Sequence, residues 1–362
     1  MQKAHSKEKK NMKKMIALLL VLLALANGSA LAEALPVFAS LQDARDYVNE
    51  QTRACPEEIA FRLSDASEYT GSSFANQARS VGGQYNAQTR LDGDVVTIRY
   101  TYYPGMRIYS AVQTGDPSDL TSDERAAAQI AVQVAAEAAG QPNVFGRVQY
   151  IHDWLCENID YEAMPENADT LPRVCGAVGA LVDGRANCQG YADAFRLIGL
   201  LSGLDVRKQE GWDDAGAPHD WNVVRLNGKW YIVDATEDDM QGQDAWCYAY
   251  LLAGRDANRF TWDAGAASAD IAEYTDPDMG YYTRFGRVYS DVNELARAAY
   301  FARRDEKIRL FHGMVREAGL EWSDLSDAIL KVARERGKKC SWHVHCFRRA
   351  PYTYYTVRWT EW

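Results

Sequence analysis

Beyond residue 32 the 362-residue sequence has no apolar run long enough to cross a membrane. Its seven cysteines form no CxxC pair and no zinc-ribbon spacing, so no metal framework is expected, and no cofactor is expected either. Positive charge is short: 40 Lys and Arg against 50 Asp and Glu leave a net charge of -10. Nucleic acid and anionic lipid both require a clustered cationic surface, so neither is expected as the main partner. Histidine is scarce too, with six in the chain. What is present, 47% hydrophobic and 25% charged residues, is the composition of an ordinary globular protein. Its length suggests two or three domains.

Lys3, Lys7, Lys9, Lys10, Lys13 and Lys14 precede the short apolar run "MIALLLVLLALA", and Ala30 and Ala32 follow with the A-x-A spacing of a signal-peptidase site. Residues 1–32 are expected to be an export signal and the protein to be secreted or held at the cell surface, with no membrane span after cleavage. Three units are then expected: an N-terminal α/β module over 33–115, a central domain over 116–265, and a C-terminal α/β module over 285–362. In the first, "SLQDARDYVNEQTRA" predicts a helix, "EEIAFRL" a strand, "SSFANQARSVGG" a helix and "YNAQTRLDGDVVTIRYTYY" two strands about Asp92-Gly93. The C-terminal segment repeats that order, with "CSWHVHCFRRAPYTYYTVRW" as its closing pair of strands, and suggests a diverged duplication.

The central region opens with two helices, "LTSDERAAAQIAVQVAAEAAG", with a capping-box spacing from Thr121 to Glu124, and "NVFGRVQYIHDWLCENIDY". In "GRANCQGYADAFRLIGLLSG" an amphipathic helix is expected, with Tyr191, Phe195, Ile198 and Leu201 on one face. Asn187 is a suitable N-cap, which puts Cys188 in the first turn. There the free backbone N–H groups and the helix dipole favour a negative thiolate.

A thiolate nucleophile needs an imidazole to take its proton, and the imidazole needs a group to orient it. His219 lies in "PHDWNVVRLNGKWYIVDATEDD", two strand-like runs about Asn227-Gly228, the strongest short hairpin signal. With that pair as the loop, Leu226 faces Lys229, and Trp221 faces Asp234. His219, Trp221, Val223, Trp230, Ile232 and Asp234 then share one face. His219 and Asp234 become diagonal neighbours within reach of a side-chain hydrogen bond.

A cysteine opening a helix as "CQGYADAF", followed some thirty residues later by "HDWNVVRLNGKWYIVDAT", resembles the transglutaminase-like superfamily, relatives of the papain-like cysteine peptidases. The likeness spans about residues 120–245 and includes "IHDWLCENIDY". It implies an α+β fold in which the nucleophile helix packs on an antiparallel sheet, here flanked by the two α/β modules. It also implies Cys188 as nucleophile, His219 as general base and acid, and Asp234 as the group orienting His219. Trp221, Trp212 and Asp220 are the expected substrate contacts. Asp220 and Glu237 stand where bacterial relatives often carry Ala and Trp, which puts negative charge in place of an aromatic wall. The expected function is a cysteine peptidase or amidase that acts through a thioester on a protein or peptide, cell-wall peptide included. A protein-crosslinking transferase and a non-catalytic surface-binding protein are the alternatives.

Other residues have plainer readings. His152 is expected to be structural, and Cys156 and Cys175 to be core or disulfide cysteines. "CSWHVHC" puts Cys340, Trp342, Val344 and Cys346 on one strand face and His343 and His345 on the other, so no metal site is expected. Tyr281 and Tyr282 are expected in strand packing. Asp213, Asp214, Asp220, Glu237, Asp238 and Asp239 are expected to form a solvated acidic rim that favours basic substrates, because no EF-hand spacing is present.

Overall fold

The computed structural model describes residues 35–51, 56–67, 69–70, 84–163, 171–213, 215–239, 245–254, 261–262, 280–302, 310–337, 341–349 and 351–361. The export signal expected over 1–32, the helix expected at "SSFANQARSVGG", and Cys55, Asp214 and Cys340 lie outside them.

In the N-terminal sheet, β1 (Val37–Phe38) pairs parallel with β2 (Glu58–Leu63). β2 and β3 (Gln84–Asp92) both run antiparallel to β4 (Val95–Tyr102), for an order β1-β2-β4-β3. Strict alternation puts Ile59, Phe61 and Leu63 on one face of β2, where they meet Ala44 and Val48 of the helix Leu41–Gln51. The turn between β3 and β4 is one residue later than expected. Asp92 pairs with Val95, so Gly93 and Asp94 form the loop, and Gly93 takes the positive φ of 62° that this place demands.

The short strands β5 (Asp160–Tyr161) and β6 (Arg185–Ala186) pair parallel and bring the chain to Cys188. The central sheet is antiparallel, with β7 (Val206–Trp212), β8 (Pro218–Leu226), β9 (Lys229–Val233) and β10 (Thr261–Trp262) in the order β10-β7-β8-β9. The helix Cys188–Leu201 packs across β7 and β8. On the helix's other sides lie Pro104–Thr114, Ser122–Ala139 and Val144–Asn158. It is therefore buried all round from Gly190 to Gly199, not on one face as its pattern suggested.

Two sequence signals place these helices. Thr121 and Glu124 form the capping box, with Glu124 N donating to Thr121 Oγ1 at 3.2 Å and Thr121 N to Glu124 Oε2 at 2.8 Å. Pro104 at N1 and Gly115 just past the end delimit a helix that hydrophobic periodicity had not separated from the first module. Because that helix packs on the Cys188 helix, the central layer starts near residue 104 and not at 116.

The C-terminal sheet contains β11 (Val288–Tyr289), β12 (Leu310–Val315), β13 (Ser341–Arg349) and β14 (Tyr352–Glu361). Its order, β11-β12-β14-β13, and the sense of every pairing repeat those of the N-terminal sheet. Phe311, Val315, Tyr355 and Val357 face the helices Val292–Ala302 and Trp322–Glu335, joined by Trp342, Val344 and Cys346. Met314 and Tyr354, on the opposite face, join the central core. Thr356 Oγ1 donates to the Trp246 carbonyl at 2.7 Å across that junction. Tyr281 and Tyr282 lie in a one-turn helix, Tyr281–Arg284, and not in a strand. Tyr282 OH accepts from Tyr248 N at 3.1 Å.

Candidate active site

Cys188 is the first residue of its helix. Asn187 caps that helix, its Oδ1 accepting from Gln189 N at 3.0 Å and Gly190 N at 3.3 Å. The same asparagine donates through Nδ2 to Cys175 Sγ at 3.1 Å. Gly190 is required by close approach: a Cβ there would lie 2.5 Å from the Val174 carbonyl oxygen. Cys188 stays partly accessible while the helix behind it is enclosed.

The helix is tied down by Asp193, a residue that sequence reasoning passed over. Its Oδ2 accepts from Gly105 N at 3.0 Å and Ala177 N at 2.8 Å, joining three segments at one buried carboxylate. Burial raises the Asp193 pKa, and these two backbone bonds oppose the rise. An acidic residue in the middle of a helix expected to be amphipathic was the available signal, since a charge there needs a partner if the helix is enclosed.

The hairpin register is the one the Asn227-Gly228 turn demands. Leu226 pairs with Lys229 and Val223 with Ile232, while Asn227 and Gly228 take φ of 52° and 82°. The ladder ends at Asn222 and Val233, and Asp234 then caps the one-turn helix Ala235–Asp238. Asp234 Oδ1 accepts from Thr236 N at 3.0 Å and Glu237 N at 3.1 Å. Its other oxygen, Oδ2, lies 2.6 Å from His219 Nε2. The Cys188 side chain interacts with the same imidazole. Burial opposes the imidazolium, but the charge and hydrogen bond of Asp234, with those of Cys188, outweigh it and push the His219 pKa up to about 11. The result is a thiol, an imidazole and a carboxylate in series, an arrangement able to hold a thiolate–imidazolium pair.

The three expected substrate contacts separate. Trp212, at the end of β7, is 41% exposed and open to solvent. Trp221 is only 1% exposed and stacks on the His219 ring, with centroids 6.1 Å apart and planes 16° from parallel. It backs the imidazole from the core side and does not present a surface to substrate. Asp220 points away from His219 because neighbouring strand residues alternate, and its buried carboxylate lies 2.6 Å from Lys208 Nζ. Lys208 also lies 3.9 Å from the centre of the Tyr103 ring. Asp220 is thus a buried ion-pair partner.

Of the expected acidic rim, Asp220 and Asp238 are buried, whereas Asp213, Glu237 and Asp239 stay partly exposed. Asp238 is buried against His152, and Asp239 Oδ2 accepts from Tyr191 OH at 2.7 Å. Glu237 stays beside the imidazole: burial and then the Asp234 charge push its pKa up to about 7, against the pull of His219. Tyr161, 37% exposed, feels the charges of both Cys188 and Glu237.

Residues 132–235, which include Cys188, His219 and Asp234, match the family model of the transglutaminase-like superfamily. The chain carries a transglutaminase-like domain. Over 102 residues it is 28% identical to the kyphoscoliosis peptidase of Homo sapiens, covering 25% of this chain and 15% of that protein. The Mus musculus protein of the same name matches with the same identity and coverage. The chain therefore spans about 15% of the length of the curated relatives it matches. A solved TGase structure overlaps 52% of this chain and 53% of its own, with 15% identity and a TM-score of 0.31. The α+β architecture of the transglutaminase-like domain, a cysteine-bearing helix on an antiparallel sheet, is the one the sequence motif implied.

Proposed function

We propose that the protein is a secreted cysteine-dependent amide-bond hydrolase, a peptidase or amidase, in which Cys188 is the nucleophile, His219 the base and acid, and Asp234 the orienting carboxylate. The observation that carries this reading is the 2.6 Å contact between His219 and Asp234, with Cys188 on the same imidazole at a helix N-terminus. The Cys188 thiolate attacks the amide carbon, forming a C–S bond and an oxyanion. At the helix start the Cys188 backbone N–H is one donor to that oxyanion. Collapse breaks the C–N bond as His219 gives its proton to the leaving amine, leaving a thioester. Water then attacks the thioester with His219 accepting its proton, and C–S cleavage releases the acid and restores the thiol.

Hydrolysis is favoured over crosslinking because an exported chain works in water and no acceptor-lysine site is marked in the sequence. Export rests on the lysine-rich start, the apolar run and the Ala30-x-Ala32 pattern. The substrate is a protein or peptide, cell-wall peptide included.

The test is incubation of the full chain with a mixed peptide library and a primary amine, read by mass spectrometry beside Cys188→Ala. Cleavage or deamidation that disappears in the variant supports the proposal. Amine incorporation in its place establishes a transferase, and identical products from both proteins end the assignment to Cys188.

A further inference from the structure

The one-turn helix Ala235–Asp238 carries a carboxylate at each end, and each carboxylate holds a different imidazole. Asp234 meets His219 at 2.6 Å, and Asp238 Oδ2 meets His152 Nε2 at 3.1 Å with both side chains wholly buried. The two ends are joined by the Asp238 N–H bond to the Asp234 carbonyl, 3.2 Å.

Asp238 is fastened on several sides. Cys247 Sγ donates to its Oδ1 at 3.2 Å, Tyr250 N donates to the same oxygen at 3.0 Å, and its own carbonyl accepts from Cys247 N at 2.8 Å. From the helix Val144–Asn158, Cys156 Sγ adds a contact to the Ala235 carbonyl at 3.6 Å. The turn that aims Asp234 is thus held from below by His152 and Cys156 and from the side by residues 247–250.

The charged and titratable groups facing His152 come from every element packed on it. On its own helix are Asp153, whose Oδ1 lies 3.1 Å from Nδ1, and Cys156, whose Sγ lies 3.9 Å from the same nitrogen. Asp238 and Asp239 face it from the turn, and the Tyr248 ring packs on it at 5.3 Å. His312 faces it from β12, and burial, with the charges of His152 and Arg287, depresses the His312 pKa to about 3, so that ring is neutral. Three carboxylates, Asp153, Asp238 and Asp239, against one imidazole make the local charge balance depend on His152.

We propose that His152 and Asp238 form a positioning pair that holds the one-turn helix so that Asp234 meets His219, and so governs how readily Cys188 reacts. This rests on the assignment of Cys188, His219 and Asp234 above. The pair touches no reacting atom. It acts through Asp234, because a shift of the turn by a fraction of an ångström lengthens the 2.6 Å contact, and misplacement of about 1 Å near a reacting centre costs as much as ~100-fold in rate.

The readout is native-state alkylation of Cys188 by iodoacetamide across pH 5–9, resolved by peptide mass spectrometry in the full chain. His152→Gln and Asp238→Asn are expected to keep the far-UV circular dichroism of the parent and to slow alkylation at pH 6 by about tenfold. Because the pair acts through Asp234, His152→Gln added to Asp234→Asn is expected to change nothing further. A wild-type alkylation profile in both single variants overturns the proposal. Effects that add to those of Asp234→Asn also overturn it, since they would mark general loosening. Loss of fold in both singles and in the His152→Gln/Asp238→Asn double does the same, by making the pair purely structural. If His219→Gln itself leaves Cys188 alkylation unchanged, the underlying assignment fails. If His219→Gln slows it and His152→Gln does not, only the positioning role fails.

Discussion

Two cysteines in this protein lie beside a histidine that bonds a carboxylate, and they sit at opposite poles of their helices. Cys188 opens the helix Cys188–Leu201, where the positive end of the helix dipole favours negative charge. Cys156 lies in the last turn of Val144–Asn158, where the carbonyl end of the dipole disfavours it. The Cys156 thiol is pushed up to about 12 by burial, against the pull of His152. The partners differ as well: His219 has one carboxylate at 2.6 Å, whereas His152 lies between Asp153 and Asp238, each at 3.1 Å. Residue types alone therefore do not make a nucleophile. On the proposed assignment, helix polarity and the partners of the imidazole separate the nucleophile set from a structural one built of the same three side chains.

The sharpest way to break that comparison is to delete each sulfur in turn. Cys188→Ala is expected to lower turnover of any cleaved library peptide by at least about 1000-fold. Cys156→Ala should leave turnover within about threefold, because it removes one weak contact to the turn. Equal losses in the two variants would erase the distinction. Next in size, His219→Gln is expected to slow iodoacetamide at Cys188 at pH 6 by roughly 30-fold, since an unassisted thiol of ordinary pKa is below about 1% ionised there. Cys156 peptides from the same digests should remain unlabelled in both proteins.

Smaller effects follow from proton linkage. The His219 pKa rises on folding from an ordinary 6.5 to about 11, so its pairing stabilises the fold fully below pH 6.5 and that contribution is lost as pH climbs toward 11. The melting-temperature advantage of the parent over His219→Gln should therefore be greatest at pH 6 and shrink steadily by pH 10. An advantage that grows with pH would contradict the pairing. Glu237 has the opposite consequence. Its carboxyl is raised from 4.5 to about 7, so ionisation above that pH works against the folded state. Glu237→Gln is expected to raise the melting temperature at pH 8 by about 1–3 °C and to leave it unchanged at pH 4. A drop at pH 8 would show that this carboxylate has a stabilising partner.

Much of the site could be read in advance for local reasons. A two-residue Asn-Gly loop allows one register, and side chains alternate along a strand, so the approach of His219 to Asp234 followed from arithmetic on the turn. Asn187 before Cys188, and Thr121 with Glu124, are caps whose partners lie within three residues. Asp220 and Asp238 were misread because their partners are distant in sequence. Lys208 is twelve positions from Asp220, and His152 is 86 from Asp238, so nothing local distinguished a buried ion pair from a solvated rim. The helix Pro104–Thr114 was missed for a related reason: its buried face is completed by the Cys188 helix some eighty residues on.

The sequence by itself determined the hairpin, the capped helix start that presents Cys188, and the alternating strands of the two outer sheets, because turns, caps and strand periodicity act over a few residues. The tertiary structure alone decided which charges are buried, which tryptophan backs the imidazole and which meets solvent, and which carboxylates each cysteine–histidine pair meets. Those outcomes depend on dielectric environment and on partners from separate elements, and neither exists until the layers pack.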